Sequence, residues 1–166
     1  MEMILPYLVA PDYDFDHFSP IQPKFPNWEK SFVSGKDSPL FKVSHFIHNA
    51  RPTLVLTRVT FLSQALGPPG NVHGGATAGL IDEVMGVTVW HQNEKCVTEK
   101  LELHYGKMLP LQDEAFVFTE IASRETKTLE VHSSVYGKNK TPHVSARGVF
   151  HVLSAEQLAR LRVAPR

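Results

Sequence analysis

The sequence has very little cysteine: its 166 residues include one, Cys96. A single cysteine cannot close a disulfide within the chain, which excludes the small secreted proteins that are held together by several disulfides. It also excludes zinc and iron–sulfur sites that are built from several cysteines. A hydrophobic core must therefore stabilise the fold, and a chain of this length can bury one.

An excess of charge of one sign is also lacking. Seventeen Lys and Arg residues balance seventeen Asp and Glu residues, so the formal net charge is zero. The chain has no run of roughly five or six like charges. A nucleic-acid-binding face or a polybasic membrane anchor would need a clear excess of basic residues. We therefore expect neither nucleic acid nor a membrane surface as a partner.

Long hydrophobic runs are absent as well. No stretch approaches the roughly 18 apolar residues that a helix needs to span a bilayer. The first Lys or Arg is Lys24, and several acids precede it, which does not fit a signal peptide or a mitochondrial presequence. We expect a cytoplasmic protein.

Proline and aromatic residues are concentrated at the start of the chain. Six of the twelve prolines lie within residues 1–40. Repeated proline blocks long helices and central strands, whereas disordered tails are poor in aromatic residues. We predict an irregular arm over residues 1–40 that packs its aromatic side chains onto a domain formed by residues 41–166.

The pattern after the arm predicts one helix among several strands. Residues 53–66 are rich in β-branched and apolar types, which is typical of a strand or a strand pair. Residues 74–91 are apolar on almost every side, which is typical of a buried central helix. A meander of four antiparallel strands and a short surface helix are predicted over residues 96–105, 114–123, 128–136, 143–153 and 155–162. A block of strands behind one helix favours an α+β fold, in which an antiparallel sheet curves around the helix.

Two adjacent acids, Asp82 and Glu83, interrupt the predicted buried helix. Neighbouring side chains on a helix point about 100° apart, so that one acid can face inward and the other outward. A carboxylate among apolar side chains is costly unless it is paired or hydrogen-bonded. Such groups are candidates for function because burial shifts their pKa. A plain surface acid at the edge of the helix is the alternative, and composition does not decide between the two.

A glycine-rich turn, Asn71-Val72-His73-Gly74-Gly75, opens the same helix. Glycine lets backbone N–H groups come close to a ligand. The free N–H groups and the dipole at a helix start favour negative charge, including a developing oxyanion. An ordinary turn with a structural histidine is the alternative.

Together, the turn and the acid form a long motif, HGGATAGLIDEVMG, over residues 73–86. This motif resembles the hot-dog fold thioesterase superfamily, in the branch of the 4-hydroxybenzoyl-CoA and phenylacetyl-CoA thioesterases. With the preceding GPPG loop, the stretch is most similar to the mitochondrial-type long-chain acyl-CoA thioesterases. The resemblance covers roughly residues 50–153. It implies a hot-dog fold, with a curved antiparallel sheet around one long buried helix, and the hydrolysis of acyl-CoA to a free acid and CoA.

The resemblance also implies catalytic roles. Asp82 matches the carboxylate that activates a water molecule or attacks the thioester carbonyl directly. Gly74 matches the residue whose N–H polarises that carbonyl, and His73 shapes the same loop. Thr98 matches a threonine that positions the water and that the neighbouring subunit contributes. Strand alternation places Thr98 on the face opposite the apolar residues of 96–105, so this role requires a β-bulge or a place on the outer edge.

The implied substrate-binding residues are Asn71, Gly75, Tyr105, Lys107, Arg124 and Lys127. The family carries a Tyr-x-x-Pro-x-Pro motif at the end of this strand, and here Met108 stands in place of the first proline. This departure affects the channel for the pantetheine group. Arg124 and Lys127 are the nearest equivalents of a basic pair that holds the CoA phosphates. Solvated turn charges are the alternative for both.

The resemblance further implies a homo-oligomer with shared active sites, either a dimer or a dimer of dimers. In this fold two protomers pair their sheets edge to edge, and a free edge and a free outer face of the sheet would permit this. No metal and no cofactor is implied, apart from coenzyme A as part of the substrate.

Two other functions remain open. One is an enzyme of the same fold that acts on a polyketide or acyl chain bound to a carrier protein, by release, dehydration or isomerisation. A basic pocket sized for a nucleotide would favour CoA over a carrier protein. The other is a non-catalytic protein that binds an acyl chain or a partner, against which the intact set of His73, Gly74, Asp82 and Thr98 argues. The pattern does not indicate which acyl chain is bound.

Overall fold

The central helix, α1, runs from Gly74 to His91, which confirms the predicted bounds. Its N-cap is His73, whose Nδ1 accepts a hydrogen bond from the N–H of Gly75. The helix ends where Asn93 adopts a left-handed backbone with φ of 64°, a conformation that stops a helix. Eight of its 18 residues are buried, so α1 lies inside the domain.

The computed structural model describes Tyr7 and residues 13–163, with side chains to residue 160. Residues 1–6 and 8–12 of the predicted arm, and the last three residues of the chain, lie outside this part. The strands are β1 (Phe18–Ile21), β2 (Phe41–His48), β3 (Arg51–Phe61), β4 (Cys96–Tyr105), β5 (Glu114–Arg124), β6 (Thr128–Gly137) and β7 (Pro142–Val152), and a second helix, α2 (Ala155–Val163), follows them. Within the described residues, no helix has the length and hydropathy to cross a membrane.

All seven strands form one antiparallel sheet in the order β1-β2-β3-β5-β6-β7-β4. The prediction of a continuous four-strand meander is wrong for β4, which lies at the sheet edge beside β7 and not next to β5. The reason is the loop after β4, which crosses the start of α1. There the Val72 N–H donates to the Leu109 carbonyl, and Asn71 pairs with Pro110.

The larger core lies between α1 and one face of the sheet. Its fully buried side chains include Leu80, Ile81 and Met85 of α1, together with Phe61 and Phe150 of the sheet. Burying a side chain of this size contributes about 1.5–3 kcal/mol. This packing confirms the predicted α+β arrangement of an antiparallel sheet around one buried helix.

Gly148 of β7 lies directly beneath α1. A Cβ atom at this position would lie 2.6 Å from the Sδ of Met85 and 2.8 Å from the ring of Phe150. Both of these side chains are buried, so neither has room to move away. Glycine therefore allows the helix to approach the sheet this closely.

The arm is not irregular throughout, because its residues Phe18–Ile21 form β1 and pair with β2. Proline content alone did not indicate this strand. Pro20 is compatible with it because β1 is an edge strand, where a missing N–H donor is tolerated. The division of the chain at residue 40 stays a prediction, and the pairing of β1 with β2 crosses that boundary.

A second apolar cluster lies on the opposite face of the sheet. The rings of Tyr13 and Phe15 pack on Phe116, with centroid distances of 4.7 and 6.3 Å. Leu56 and Phe118 are buried in the same cluster. The expectation of a free outer face is therefore wrong over this cluster, because aromatic residues of the arm cover it.

Candidate active site

Asp82 lies near the middle of α1, where the helix faces the start of β4. Its Oδ1 accepts a hydrogen bond of 2.7 Å from the Thr98 hydroxyl. Asp82 is half-buried and Thr98 is exposed, so the pair lies where the core meets solvent. It combines a carboxylate that can take up a proton with a hydroxyl that fixes the orientation of that carboxylate.

A β-bulge brings Thr98 to this position. Thr98 pairs with Phe150 of β7, and Lys100 pairs with the adjacent Val149, so Glu99 is an extra residue in β4. A bulge of this kind changes the direction in which the neighbouring side chains point. The bulge is one of the two arrangements expected for Thr98, the other being a place on the outer edge of the strand, and the role of Thr98 stays a prediction.

Thr98 and Asp82 belong to the same chain. The resemblance implied that the neighbouring subunit contributes the threonine. Within one chain the Thr98 hydroxyl already lies 2.7 Å from the Asp82 carboxylate, and the contribution of a neighbouring subunit stays a prediction. The contact within the chain arises because β4 begins shortly after α1 ends and packs back against it. A residue near the start of β4 can therefore reach the middle of α1 without a second subunit.

A cavity of about 200 Å³ opens beside this pair. Its apolar lining comes from the arm, α1 and the start of β4 and includes Phe25, Phe32, Val33, Gly79, Trp90 and Val97. Small-molecule sites commonly combine such an apolar lining with a few well-placed polar groups. The arrangement can hold an apolar chain with its polar end at the carboxylate.

Cys96 also lines this cavity, but its chemistry is not that of a nucleophile. The residue is 5% exposed. Burial, together with the nearby charge of Glu94, raises the pKa of the Cys96 thiol to about 12. A protonated thiol is a poor nucleophile, so Cys96 is a small buried hydrophobic side chain.

The start of α1 forms the second part of the site. His73 Nδ1 accepts a 2.9 Å hydrogen bond from the Gly75 N–H, so this nitrogen caps the helix. Tyr105 Oη donates to the Gly74 carbonyl at 2.8 Å. Among the described residues, the Gly74 N–H meets no acceptor. It is therefore available to a ligand at the positive end of the helix dipole.

Gly74 and Asp82 do not meet within one chain. They are eight positions apart in α1, which corresponds to about 12 Å along the helix axis. A carbonyl group is only about 1.2 Å long. One thioester carbonyl therefore cannot contact the Gly74 N–H and lie beside Asp82 of the same chain.

Asn71 and Lys107 lie in the loops that cover the start of α1. The Asn71 Nδ2 donates to the Pro69 carbonyl at 2.9 Å, and the Lys107 carbonyl accepts from the His143 Nδ1 at 3.0 Å. Both contacts shape the loops. Lys107 and Met108 also line a cavity of about 480 Å³, at the end of β4.

Arg124 and Lys127 lie at the other end of α1. Arg124 forms an ion pair with Glu94, just beyond the helix C-terminus. Lys127 lines a different cavity, which it shares with Arg160. The 18 residues of α1 span about 27 Å. One chain therefore does not bring this predicted basic pair to the turn at Gly74.

Glu83 also contacts the arm, and the spacing of the sequence motif did not predict this contact. The Glu83 carboxylate accepts hydrogen bonds from the Ser31 hydroxyl and, at 2.9 Å, from the Ser34 N–H. Phe32, held between these two residues, is 68% exposed and lines the cavity at Asp82. The aromatic content of the arm is the one sequence signal that pointed toward such packing.

Comparison of the sequence with known families agrees with this geometry. The profile of the thioesterase superfamily matches residues 69–141. This stretch is similar to the thioesterase superfamily. It includes Gly74, Asp82 and Thr98, so the match covers both parts of the candidate site.

Individual proteins are also similar to part of the chain. The human acyl-coenzyme A thioesterase THEM5 is 26% identical over 92 residues, which are 55% of this chain and 37% of the human protein. The chain therefore spans little more than a third of that relative. A solved thioesterase superfamily protein is 26% identical with a TM-score of 0.62, over 66% of this chain and 53% of its own.

A hypothetical thioesterase from Streptococcus pneumoniae, solved with coenzyme A, has a TM-score of 0.60 and 21% identity. The match covers 63% of this chain and 81% of the bacterial one. At this identity the likeness shows the hot-dog fold alone. Two variant structures of that protein, each with a TM-score of 0.62, replace an aspartate and a threonine 16 positions apart by alanine.

Proposed function

We propose that this chain hydrolyses acyl thioesters and that acyl-CoA is its substrate class. The observation that carries the proposal is the Asp82–Thr98 pair at the edge of an apolar cavity. An acyl chain needs an apolar groove, and hydrolysis of its thioester needs a base or a nucleophile beside the carbonyl. The similarity to the thioesterase superfamily, and the acyl-CoA activity in the name of the human relative, support this reading of the site.

In the proposed reaction, Asp82 takes a proton from a water molecule that attacks the thioester carbonyl. A C–O bond forms, negative charge develops on the carbonyl oxygen, and the C–S bond then breaks. The thiolate of coenzyme A leaves and takes up the proton, so that the products are a free acid and CoA. Thr98 holds the carboxylate, and its oxygen can also accept a hydrogen bond from the water.

Direct attack by Asp82 on the carbonyl is the other use of the same carboxylate. It forms a mixed anhydride and releases CoA, and a water molecule then cleaves the anhydride. A single turnover in water labelled with ¹⁸O distinguishes the two routes. When water cleaves the anhydride at the Asp82 carboxyl carbon, the first product takes its new oxygen from Asp82 and is unlabelled, and the label enters Asp82. Attack by water on the thioester instead gives a labelled first product and an unlabelled Asp82. Neither route uses a metal or a further cofactor.

A second copy of the chain completes the proposed site. Gly74 and Asp82 of one chain are about 12 Å apart along α1, so the two groups act on one carbonyl only if they come from two chains. We place the thioester carbonyl on the N–H of Gly74 of the partner subunit, beside Asp82 and Thr98 of the first chain. The N–H and the helix dipole then stabilise the developing oxyanion. The active species is accordingly a dimer at least.

The spacing of the polar pair supports this assignment. Asp82 and Thr98 are 16 residues apart, as are the aspartate and the threonine that were replaced in the Streptococcus pneumoniae protein. Another structure of that protein contains coenzyme A. We infer that the two pairs correspond and that the coenzyme A thioester is the substrate here.

A thioester on a carrier protein is a second candidate substrate, and one observation favours it. Arg124 is paired with Glu94, and Lys127 lines a separate cavity. Within one chain, neither side chain therefore joins Lys107 in a basic site for the phosphates of CoA. The two substrates share the acyl-pantetheine group and differ in the nucleotide. A nucleotide-binding site therefore decides between them.

The test is thiol release from acyl-CoA and from the matching acyl-pantetheine, with the wild type and with Asp82→Asn. We expect hydrolysis of acyl-CoA by the wild type and a loss of at least about 100-fold in Asp82→Asn, the usual contribution of a general base. Asp113→Asn, in the exposed loop before β5, is the matched control and retains full activity. Equal kcat/KM for both substrates would assign the enzyme to carrier-bound chains, and no hydrolysis of either would refute the proposal.

A further inference from the structure

Both the domain and the arm line the cavity at Asp82, with nine residues from the domain and three from the arm. Gly79 and Trp90 of α1 line one side, and Phe25 and Phe32 of the arm line the other. The ring of Phe25 also packs edge-on against Trp90, with a centroid distance of 6.4 Å. The size of this cavity therefore depends on where the arm lies.

The arm is fixed at this point by one carboxylate. Glu83, adjacent to Asp82 in α1, binds the Ser31 hydroxyl and the Ser34 N–H with its two oxygens. The Ser31 Oγ also accepts a 3.1 Å hydrogen bond from the Val33 N–H. Val33 is 1% exposed, so its side chain is anchored in the core. The backbone on both sides of Phe32 is thus held against the helix.

A tight turn reinforces this anchor. A Cβ atom on Gly35 would lie 2.9 Å from the carbonyl oxygen of Glu29 and still closer to that of Ser31. A side chain at this position would push the backbone of the arm apart. Glycine therefore keeps the segment from Ser31 to Gly35 closely folded, with Phe32 projecting from it.

Phe32 itself is exposed although its backbone is fixed. Its ring is 68% exposed, and it lies over Gly79, where a Cβ atom would be 3.5 Å from the ring. Gly79 precedes Asp82 by about one helical turn. The ring thus offers apolar surface next to the carboxylate, and covering such surface is favourable.

The cavity is small for the substrates of the proposed reaction. Its volume is about 200 Å³, whereas pockets for larger organic ligands measure roughly 300–1,000 Å³. Phe32 lines this space and is exposed to solvent, so we expect a longer acyl chain to contact its ring. We propose that Phe32 determines which acyl groups reach Asp82, with Glu83 as the positioning residue that holds it in place. This inference rests on the proposed thioesterase function.

The direct test is the chain-length preference of Phe32→Ala, measured as kcat/KM for butanoyl-CoA and tetradecanoyl-CoA. Loss of the ring enlarges the cavity, so the ratio of the long to the short substrate should rise at least about tenfold, the effect of small volume changes in a substrate pocket. Phe15→Ala is the matched control, because Phe15 lies in the same arm but packs on the opposite face of the sheet. Its ratio should equal that of the wild type.

Glu83→Gln tests the positioning role. The amide keeps the size of the side chain but removes the negative charge that the Ser31 hydroxyl and the Ser34 N–H both face. We expect the ratio of kcat/KM for tetradecanoyl-CoA to that for butanoyl-CoA to rise as in Phe32→Ala, but by less. The change should appear in KM for tetradecanoyl-CoA, while kcat for butanoyl-CoA is retained. Equal losses for both substrates would indicate a structural role and would overturn this part of the inference.

Binding of S-alkyl-CoA thioethers, which cannot be hydrolysed, separates this inference from the proposed function. If the wild type hydrolyses acyl-CoA but Phe32→Ala changes neither the ratio of kcat/KM for the two substrates nor the thioether affinities, the inference fails and the proposed function stands. If no thioester is hydrolysed, the proposed function fails, and a raised affinity of Phe32→Ala for long thioethers still supports the role of the ring. Light scattering tests whether the ring instead lies in a subunit interface. If Phe32→Ala shifts toward monomer and its chain-length preference is unchanged, the ring belongs to such an interface and the inference is overturned.

Discussion

Asp82 and Thr98 are 16 residues apart in sequence and 2.7 Å apart in space. The contact depends on one extra residue, Glu99, which forms the bulge in β4. Without the bulge, the hydroxyl at position 98 would point to the other face of the strand. A local irregularity in the sheet thus creates the polar pair of the candidate site.

Replacing Thr98 by valine removes this hydrogen bond and retains the shape of the side chain. A hydrogen bond to a charged group contributes about 1.5–3 kcal/mol, so we expect kcat/KM for acyl-CoA to fall about 10–100-fold. Thr98→Ser restores the hydroxyl and should recover most of the activity. Thr126→Val, in the exposed turn before β6, is the control. Wild-type activity in Thr98→Val would remove the threonine from the mechanism.

Complementation between two inactive chains tests the shared site. Gly74→Pro removes the N–H at the first position of α1, where proline fits a helix, and His73 before it already has the extended backbone that proline requires. Gly74→Pro and Asp82→Asn should each be inactive alone. In a random mixture half of the dimers contain both chains, and one of their two sites is intact, so about a quarter of the wild-type activity should return.

The measurement uses both variants with different affinity tags, expressed together and purified through both tags. Dimers selected in this way should have about half of the wild-type activity per dimer, since one of the two symmetric sites is intact. A mixed dimer without activity, together with two correctly folded parents, would mean that Gly74 and Asp82 act within one chain or do not act together.

Stability should fall in mildly acidic solution because of His45. The residue is 5% exposed, and its Nδ1 lies 2.8 Å from the Thr57 hydroxyl. Burial lowers the pKa of His45 from 6.5 to about 4. Between these two values the unfolded chain binds a proton that the folded chain does not, so the free energy of unfolding rises with pH. We expect a loss of about 2 kcal/mol between pH 7 and pH 5.

Urea unfolding of the wild type and of His45→Gln, at both pH values, measures this effect. The variant lacks the titrating group, so it should be less sensitive to pH over this interval by about 2 kcal/mol, whatever its stability at pH 7. His151→Gln, on the partly exposed end of β7, should retain the pH dependence of the wild type. Equal pH dependence in all three proteins would contradict the role of His45.

Gly148→Ala should destabilise the fold through Met85. The new methyl group would lie 2.6 Å from the Met85 sulfur, and overpacking of this kind costs about 1–3 kcal/mol. In a Met85→Ala background the same substitution has more space. A double-mutant cycle by urea unfolding should therefore give a coupling energy of at least about 1 kcal/mol between the two positions. Additive effects would show that the methyl group is accommodated elsewhere.

The helix and the motif at its start are the parts of this protein that local sequence determines most completely. The cap at His73, the apolar run and Asn93 all act within a few residues, so the bounds of α1 were predictable. The acid at position 82 stood out for the same reason, as an ionisable group in an apolar helix. Strand alternation also predicted that the role of Thr98 requires a bulge or a place on the outer edge of the strand, and the structure has the bulge.

Contacts between distant segments were not predictable in this way. The place of β4 at the sheet edge depends on a loop that crosses the start of α1, and no periodicity encodes that path. The hydrogen bonds of Glu83 with Ser31 and Ser34 connect the arm to a helix about fifty residues later in the sequence. The pairing of Thr98 with Asp82 in one chain likewise follows from the packing of β4 on α1, which the motif alone does not contain.

The two ends of the sheet differ in a way that bears on self-association. At one end, β1 has four residues and contains Pro20, which has no N–H to offer to another strand. At the other end, β4 has ten residues and pairs along one side with β7. Short, proline-bearing edges resist the addition of strands, and long open edges invite it. If the two copies that we propose to share a site pair through β4, the joined sheet ends on both sides in β1. The four residues of β1, which tie the arm to the domain, would then disfavour the addition of further copies at either end.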